Sequence, residues 1–194
     1  MMRVMVVYAH PVETSFNAAI FATIKDALRE RGHEVDACDL YAEDFPAIMS
    51  REDRLLYHEI PANRALARPW IERLEAAEAL VMVFPTWVFA PPAILKGFCE
   101  KVFLPGVAFK LVDGKVRGAM RHLKRVGGVS TYGGTRWRAF LAGDPPRRLF
   151  TRSLRAYVGP NVPIAFQGCY DMNRIDETRG KAFLANVKAA YSAW

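Results

Sequence analysis

Cysteine pairs, metal-binding spacings and long apolar runs are all missing from this sequence. The three cysteines, Cys38, Cys99 and Cys169, are odd in number and far apart, which argues against a disulfide framework and favours a reducing cytoplasm. No Cys-x-x-Cys or His-x-x-x-His spacing occurs, so we expect no bound metal. The apolar run Val4–Tyr8 is too short for a secretory signal, and no run approaches the roughly 20 residues of a membrane span.

Two common nucleotide-binding motifs are missing as well. The sequence contains neither G-x-G-x-x-G nor G-x-x-x-x-G-K-S/T, which excludes a Rossmann dinucleotide fingerprint and a P-loop. Of the 194 residues, 52% are hydrophobic and 24% are charged, an ordinary globular mixture. We expect residues 1–194 to form one domain.

The net charge of +7 raises the question of an acidic partner. Basic residues cluster in Arg121–Arg125 and again between Arg136 and Arg155, and such clusters attract phosphates. Aromatic residues are not interleaved with them in a recognisable nucleic-acid motif. We therefore interpret the basic residues as a solvated face and expect no nucleic-acid partner. The alternative is that some of these arginines attract the phosphates of a dinucleotide.

Short apolar runs alternate with helical patterns along the chain, which is typical of a parallel sheet covered by helices on both faces. The predicted strands are Arg3–Tyr8, Glu34–Leu40, Ala79–Phe84, Leu123–Ser130 and Val162–Gln167. An Asp-Gly pair within Phe109–Gly118 predicts an additional hairpin. The predicted fold class is α/β, a doubly wound five-stranded parallel sheet of order 2-1-3-4-5.

Amphipathic patterns between the strands predict the helices. Phe16, Ile20, Ile24 and Leu28 recur every four residues and define the first helix. Proline at a first turn and aspartate at an N-cap mark later helix starts. The further helices are predicted near Arg51–Glu59, from Pro69, from Pro91, over Asp144–Tyr157 and over Asp176–Ala193.

Ligands of such sheets bind in the loops that leave the carboxyl ends of the strands. The first of these loops, Ala9–Asn17, places hydroxyl and amide side chains at a helix N-terminus, where free N–H groups attract a phosphate. His10 adds a further donor. The alternative is that Ser15 only caps the helix and that His10 is an ordinary loop residue.

The second loop, Pro85–Pro92, carries Trp87 and Phe89 between prolines that limit its collapse. Aromatic side chains in such a loop can lie against a flat conjugated ring. The alternative is that both aromatic side chains pack in the core.

The third loop, Ser130–Trp137, contains Gly133 and Gly134, whose N–H groups can approach a ligand closely. The alternative is an ordinary Gly-Gly turn. One ligand with a phosphate and a planar ring, a flavin, explains all three loops. Amide donors from the two glycines would stabilise the negative charge of the reduced ring.

These segments resemble the NAD(P)H:quinone oxidoreductase family, whose fold is flavodoxin-like. The likeness extends over about residues 3–170, and its most specific part is the Pro-Ala-Ile-Leu-Lys-Gly stretch. The matching segments are His10…Thr14–Asn17, Asp39–Tyr41, Phe84–Phe89, Pro92–Phe98, Phe103…Pro105–Phe109 and Thr131–Gly134.

The resemblance implies a bound FAD, with FMN as the alternative, and NAD(P)H as co-substrate. It also implies a homodimer and a ping-pong reaction in which hydride passes through flavin N5 to a quinone. The residues implied to hold the phosphate are His10, Thr14, Ser15, Phe16 and Asn17. Those implied to line the ring are Pro85, Thr86, Trp87, Val88 and Phe89, and those at its pyrimidine edge are Thr131, Tyr132, Gly133 and Gly134.

The sequence departs from the mammalian quinone reductases after the Gly-Gly turn. Those enzymes place a Tyr and a His there, whereas Arg136–Phe140 contains neither. We expect Trp137 to close the pocket, and Trp137 and Tyr132 are the candidate catalytic residues. Arg136 is expected to steady an anionic flavin.

Two alternative functions stay open on the same scaffold. An azo- or nitroreductase would use the same open aromatic pocket for other flat acceptors. Related flavoproteins also serve as ancillary regulatory subunits of potassium efflux systems, and the basic surface would suit such docking.

Overall fold

A five-stranded parallel sheet lies at the centre of the computed structural model, which describes residues 1–194. Its strand order is β2-β1-β3-β6-β7, with a separate two-stranded hairpin, β4-β5. Since the hairpin accounts for two strand numbers, this order is the predicted 2-1-3-4-5, and the predicted fold is confirmed. The strands are β1 (Arg3–Tyr8), β2 (Glu34–Asp39), β3 (Ala79–Thr86), β4 (Phe109–Val112), β5 (Lys115–Gly118), β6 (Arg125–Tyr132) and β7 (Ile164–Cys169).

Helices occupy the positions that the amphipathic patterns predict, and one further helix, Arg136–Leu141, lies where the sequence predicts a loop. They are α1 (Phe16–Glu30), α2 (Arg51–Leu56), α3 (Arg68–Ala76), α4 (Ala93–Val102), α5 (Arg136–Leu141), α6 (Pro145–Arg148), α7 (Arg155–Val158) and α8 (Glu177–Ser192). A π-helical segment, Leu149–Leu154, joins α6 to α7, so the predicted helix Asp144–Tyr157 is one run with a widened middle. Short 3-10 helices cover Ala62–Ala67 and Met172–Arg174. None of the helices combines the length and apolar character needed to cross a bilayer.

The sheet separates two apolar layers. On one face, Val4 and Val6 of β1 pack with residues of α1 and α8 in a cluster of 14 buried residues. On the other face, Met5 and Val7 join a cluster of 26 that includes residues of α3 and α4. Successive side chains of a strand point to opposite faces, so a strand covered on both sides must be apolar throughout. This requirement explains the unbroken apolar run in β3.

The adjacent strands β3 and β6 both extend further than the sequence predicts, and β7 likewise ends at Cys169 instead of Gln167. β3 runs to Thr86 instead of Phe84, and β6 runs to Tyr132 instead of Ser130. The extra residues pair with each other, Pro85 with Thr131 and Thr86 with Tyr132. Cross-strand pairing therefore overrides the loop character that the proline and the hydroxyl residues suggest locally. Four of the predicted loop residues lie in the sheet.

Candidate active site

The three predicted loops meet at the carboxyl edge of the sheet, after β1, β3 and β6. The side-chain amide of Asn17 donates a hydrogen bond to Thr131 Oγ1 at 2.9 Å, which joins the first loop to the end of β6. The hydroxyls of Thr86 and Ser130 lie 2.9 Å apart and join the end of β3 to β6. The structure therefore brings the three predicted segments together.

The first loop leaves donors free at the start of α1. Ser15 caps the helix by accepting a hydrogen bond from the Ala18 N–H at 3.1 Å, and the Tyr8 hydroxyl lies 3.2 Å from the same oxygen. His10 Nδ1 accepts from the Val12 N–H at 3.0 Å, which leaves Nε2 as the ring's donor. Burial lowers the pKa of His10, favouring this neutral form. Together with the first N–H groups of α1, Nε2 can serve an anion.

Asn17 provides a test of whether a flavin fits the loop. Its side chain is buried, with 4% of the residue surface exposed, and its Oδ1 atom has no hydrogen-bond partner. A buried acceptor without a donor costs free energy unless a ligand or water satisfies it. The ribityl chain of a flavin carries hydroxyl donors next to its phosphate. The residues present therefore fit such a group.

The second loop is a tight turn held by two backbone hydrogen bonds of 2.9 Å between Trp87 and Ala90. Val88 and Phe89 between them have φ angles of +49° and +59°, the left-handed region in which a β-branched residue is strained. Trp87, Val88 and Phe89 are 42%, 96% and 54% exposed. The alternative that Trp87 and Phe89 pack in the core is therefore wrong.

The side-chain rings of His10 and Trp87 bring the first and second loops close to each other. The centroids of the His10 and Trp87 rings are 5.8 Å apart, with the ring planes tilted by 57°. This contact places the indole beside the candidate phosphate loop. A ligand bound at His10 would therefore extend toward the aromatic turn formed by residues 87–90.

A cavity of about 280 Å³ lies between the aromatic turn and the glycine pair. It is lined by Thr86, Val88, Phe89, Tyr132, Gly133, Gly134, Thr135, Arg138, Ala139 and Asn173. Pockets that hold a whole small ligand have volumes of about 300–1,000 Å³. This smaller cavity therefore suits one edge of a planar ring, with the rest of the ring in the open cleft.

The two glycines are not required by packing within the chain. A Cβ on Gly133 would lie 3.4 Å from Asn173 Oδ1, and one on Gly134 would lie 3.6 Å from Arg138 Cδ. Both distances are ordinary contacts, and neither residue has a positive φ angle. A residue without a side chain at these positions lets a ligand approach the backbone N–H groups closely.

Several residues that sequence reasoning missed surround Tyr132. Its hydroxyl donates to Asp144 Oδ1 at 2.7 Å, and Arg147 Nε donates to Asp144 Oδ2 at 3.1 Å. The Tyr170 ring stacks on the Tyr132 ring with centroids 4.5 Å apart. Burial and the hydrogen bond to Asp144 both raise the pKa of the Tyr132 phenol. The phenol of this candidate catalytic residue is thus neutral and hydrogen-bonded to a partly buried carboxylate.

The helix after the glycine pair places its residues differently from the sequence-based expectation. Arg138 and Ala139 line the cavity, whereas Trp137 and Arg136 do not. Trp137 is 64% exposed and stacks on Phe140 with ring centroids 5.5 Å apart. The helical period explains the difference, because residues 135, 138 and 139 share one face of α5. Asn173 follows β7 and enters the cavity wall from a fourth loop that the sequence did not identify.

A larger cavity of about 570 Å³ lies along α4 and contains none of the predicted site residues. It is lined by Met49, Arg54, Tyr57, Lys96, Cys99, Glu100, Phe103, Leu149, Ser153, Leu154 and Tyr157. No group of three or more His, Cys, Asp or Glu side chains is arranged to hold a metal ion.

Comparison with known proteins identifies the class that this fold and site define. Residues 2–159 match the model of the family described by its flavodoxin-like fold, and the chain belongs to this family. The chain is 35% identical over 147 residues to NAD(P)H dehydrogenase (quinone) 1 of Cavia porcellus. That match covers 68% of this chain and 54% of the relative, so the chain spans about half the relative's length. The predicted resemblance to the NAD(P)H:quinone oxidoreductase family is confirmed.

Two solved structures share the fold over nearly the whole chain. The NAD(P)H:quinone oxidoreductase from Methanothermobacter marburgensis superposes with a TM-score of 0.84 at 22% identity, covering 98% of both chains. The FMN-dependent NADH-azoreductase from Bacillus anthracis, in complex with FMN, gives a TM-score of 0.79 at 16% identity. The latter match covers 100% of this chain and 99% of the other.

Proposed function

We propose that the protein is a flavin-dependent NAD(P)H oxidoreductase that transfers hydride to a quinone by a ping-pong mechanism. The observation that carries this proposal is the joining of three strand-end loops by the hydrogen bonds of Asn17 with Thr131 and of Thr86 with Ser130. The first N–H groups of α1 lie on one side of this junction, and a cavity beside two glycines lies on the other. A bound flavin supplies hydride transfer through its N5 atom, and the protein supplies binding and orientation.

The first loop would bind the phosphate. The N–H groups at the start of α1 and His10 Nε2 offer donors to it, and the macrodipole of the 15-residue α1 favours negative charge there. The unpartnered Asn17 Oδ1 would accept from a ribityl hydroxyl. The residues proposed to form this part of the site are His10, Thr14, Ser15, Phe16 and Asn17.

The second and third segments would hold the ring. The exposed aromatic turn would cover one edge of it and exclude water, which strengthens the electrostatic interactions inside. Backbone N–H groups of Gly133 and Gly134 would donate to its polar pyrimidine edge. The residues proposed here are Pro85, Thr86, Trp87, Val88 and Phe89, with Thr131, Tyr132, Gly133 and Gly134.

The test is the visible spectrum of the purified protein under anaerobic conditions. Addition of NADH or NADPH should bleach the flavin band at about 450 nm, and a quinone should restore it. Chromatography of the released cofactor distinguishes FAD, expected from the family resemblance, from FMN, which the Bacillus anthracis azoreductase binds. A colourless protein that takes up neither flavin would refute the proposal.

The choice of acceptor is tested separately with a panel of quinones, azo dyes and nitroaromatics. We expect quinones to give the highest kcat/KM. If azo dyes outpaced every quinone, the azoreductase alternative would replace the quinone reductase proposal while leaving the flavin site intact.

We further propose that the protein is a homodimer in the cytoplasm. Leu111 and Val116 are exposed cross-strand partners on one face of the β4-β5 hairpin, and the 570 Å³ groove along α4 is partly apolar. Exposed apolar patches of this kind mark interaction surfaces. Sedimentation equilibrium should give twice the 21.9 kDa mass, and L111K/V116K should yield a folded monomer. A monomeric wild-type protein would contradict the dimer.

The three free cysteines support the proposed location in a reducing compartment, the cytoplasm.

A further inference from the structure

The cavity beside the glycine pair has an unbalanced charge. Of the ten residues that line it, Arg138 is the single cation, and none is an aspartate or a glutamate. A charge lining a cleft with low-dielectric walls acts more strongly on a ligand than the same charge in open water. The cavity is therefore suited to a group that is negative in at least one of its states.

The backbone fixes where Arg138 lies. Thr135 caps α5 and its Oγ1 accepts from the Arg138 N–H at 3.4 Å, so the arginine occupies the first turn of the helix. Its Cδ atom would be 3.6 Å from a Cβ built on Gly134. The aliphatic stem of Arg138 thus lies over the glycine whose N–H is proposed to face the ligand.

The guanidinium of Arg138 is free to pair with a ligand. It forms no hydrogen bond or ion pair with another side chain, whereas the nearby Arg147 is bonded to Asp144 and to Tyr170. Arg136, two residues earlier, is exposed and outside the cavity wall. Arg138 is therefore the cation in the cavity wall whose guanidinium has no side-chain partner within the protein.

We propose that Arg138 pairs with the negative charge that a bound flavin acquires on reduction, and so makes the flavin easier to reduce. This inference rests on the proposed function. A hydride from NAD(P)H, which leaves as NAD(P)⁺, adds two electrons and one proton to a neutral ring, so the ring gains one negative charge at its N1 and C2-carbonyl edge. A guanidinium does not give up its proton in proteins. Arg138 therefore stabilises this charge by pairing with it and leaves its protonation unchanged.

The experiment compares R138Q with two other variants. R136Q removes the same charge from the same helix outside the cavity and is the matched control, while R138K keeps the charge. For each protein we would measure the dissociation constant of oxidised flavin by fluorescence, and the two-electron midpoint potential, with FMN and with FAD. The exposed position of Arg138 keeps all variants foldable, which circular dichroism checks.

R138Q should bind oxidised flavin about as well as the wild type but should favour the reduced form about tenfold less, a fall of about 30 mV in potential. R136Q should match the wild type, R138K should retain most of the effect, and added salt should shrink the difference. An unchanged potential in R138Q, or an equal fall in R136Q, would overturn the inference while leaving the flavin proposal standing. A wild-type protein that binds neither flavin would overturn both.

Discussion

At the scale of single residues, the cluster behind Tyr132 shows how distant segments build the site. A Cβ on Gly168 would lie 2.7 Å from Tyr170 Cζ, so the glycine leaves space for the Tyr170 ring to fold back over β7 and stack on Tyr132. Both hydroxyls turn toward Asp144, which has a left-handed φ of +45° at the start of α6. These contacts support the strand end that carries the glycine pair.

Removing the Tyr132 hydroxyl should weaken this support. In Tyr132→Phe, the partly buried Asp144 carboxylate loses a donor at 2.7 Å, and the loss of a hydrogen bond to a charged group costs about 1.5–3 kcal/mol. Urea unfolding of the flavin-free protein measures the change in the free energy of unfolding. Tyr57→Phe is the control, because the Tyr57 hydroxyl forms no hydrogen bond within the protein and its removal should be nearly neutral. Equal losses in the two variants would show that the Asp144 bond contributes nothing.

The strained turn after β3 gives a prediction of opposite sign. Val88 is 96% exposed at a φ of +49°, so Val88→Gly relieves strain and removes almost no packing. We expect the free energy of unfolding to rise by about 1 kcal/mol, after allowing for the entropy of glycine. Arg117→Gly, in the exposed strand β5, should instead lower stability by about the usual 0.5–1 kcal/mol cost of a strand glycine. A similar fall in both variants would mean that the turn is unstrained.

At the scale of elements, two helices contain glycines that differ in the space available for a side chain. The chain passes so close to α4 that a Cβ on Gly97 would lie 2.1 Å from the Ala47 carbonyl oxygen. In α8, a Cβ on Gly180 would meet Phe16 Cε2 at an ordinary 3.5 Å. The first glycine is therefore needed for the Ala47 segment to cross the helix, and the second is not.

These environments predict opposite effects of the same substitution. Gly180→Ala should stabilise the protein by up to about 1 kcal/mol, the helix-propensity difference between the two residues. Gly97→Ala should destabilise it by about 2 kcal/mol or more, because backbone must move to admit the methyl group. Chemical denaturation of both variants measures the two signs. A stabilised Gly97→Ala protein would show that the segment around Ala47 yields without cost.

Helices and strands could be predicted from the sequence where burial produces a regular pattern of apolar residues. β1 and β3 are buried on both faces, and their apolar runs identify them unambiguously, as does the four-residue period of α1. The ends of β3 and β6 were not predictable, because Pro85 and Thr86 belong to the sheet only through their pairing with Thr131 and Tyr132. The π-helical segment within Leu149–Leu154 likewise has no local signal in the sequence.

At the scale of the whole molecule, the strand order explains why the site was partly visible in the sequence. β1, β3 and β6 are consecutive neighbours in the sheet, so the loops at their carboxyl ends had to meet once the order was inferred. Arg138 and Asn173 could not be assigned in this way. Their places in the cavity wall depend on how α5 is rotated and on where the chain turns after β7, which side-chain packing decides.

Flavin binding should raise the stability of the whole molecule through linkage, since a ligand that binds only the folded state shifts the unfolding equilibrium. At a free concentration about 100 times the dissociation constant, the gain is about 2.7 kcal/mol, which for a chain of this size corresponds to a rise in Tm of about 5–10 °C. FMN and FAD should both produce the rise, and riboflavin at the same concentration should produce much less. Riboflavin lacks the phosphate that the start of α1 and His10 are proposed to bind. Equal shifts with FMN and riboflavin would place the binding energy in the ring site alone and remove the phosphate role from Ala9–Asn17.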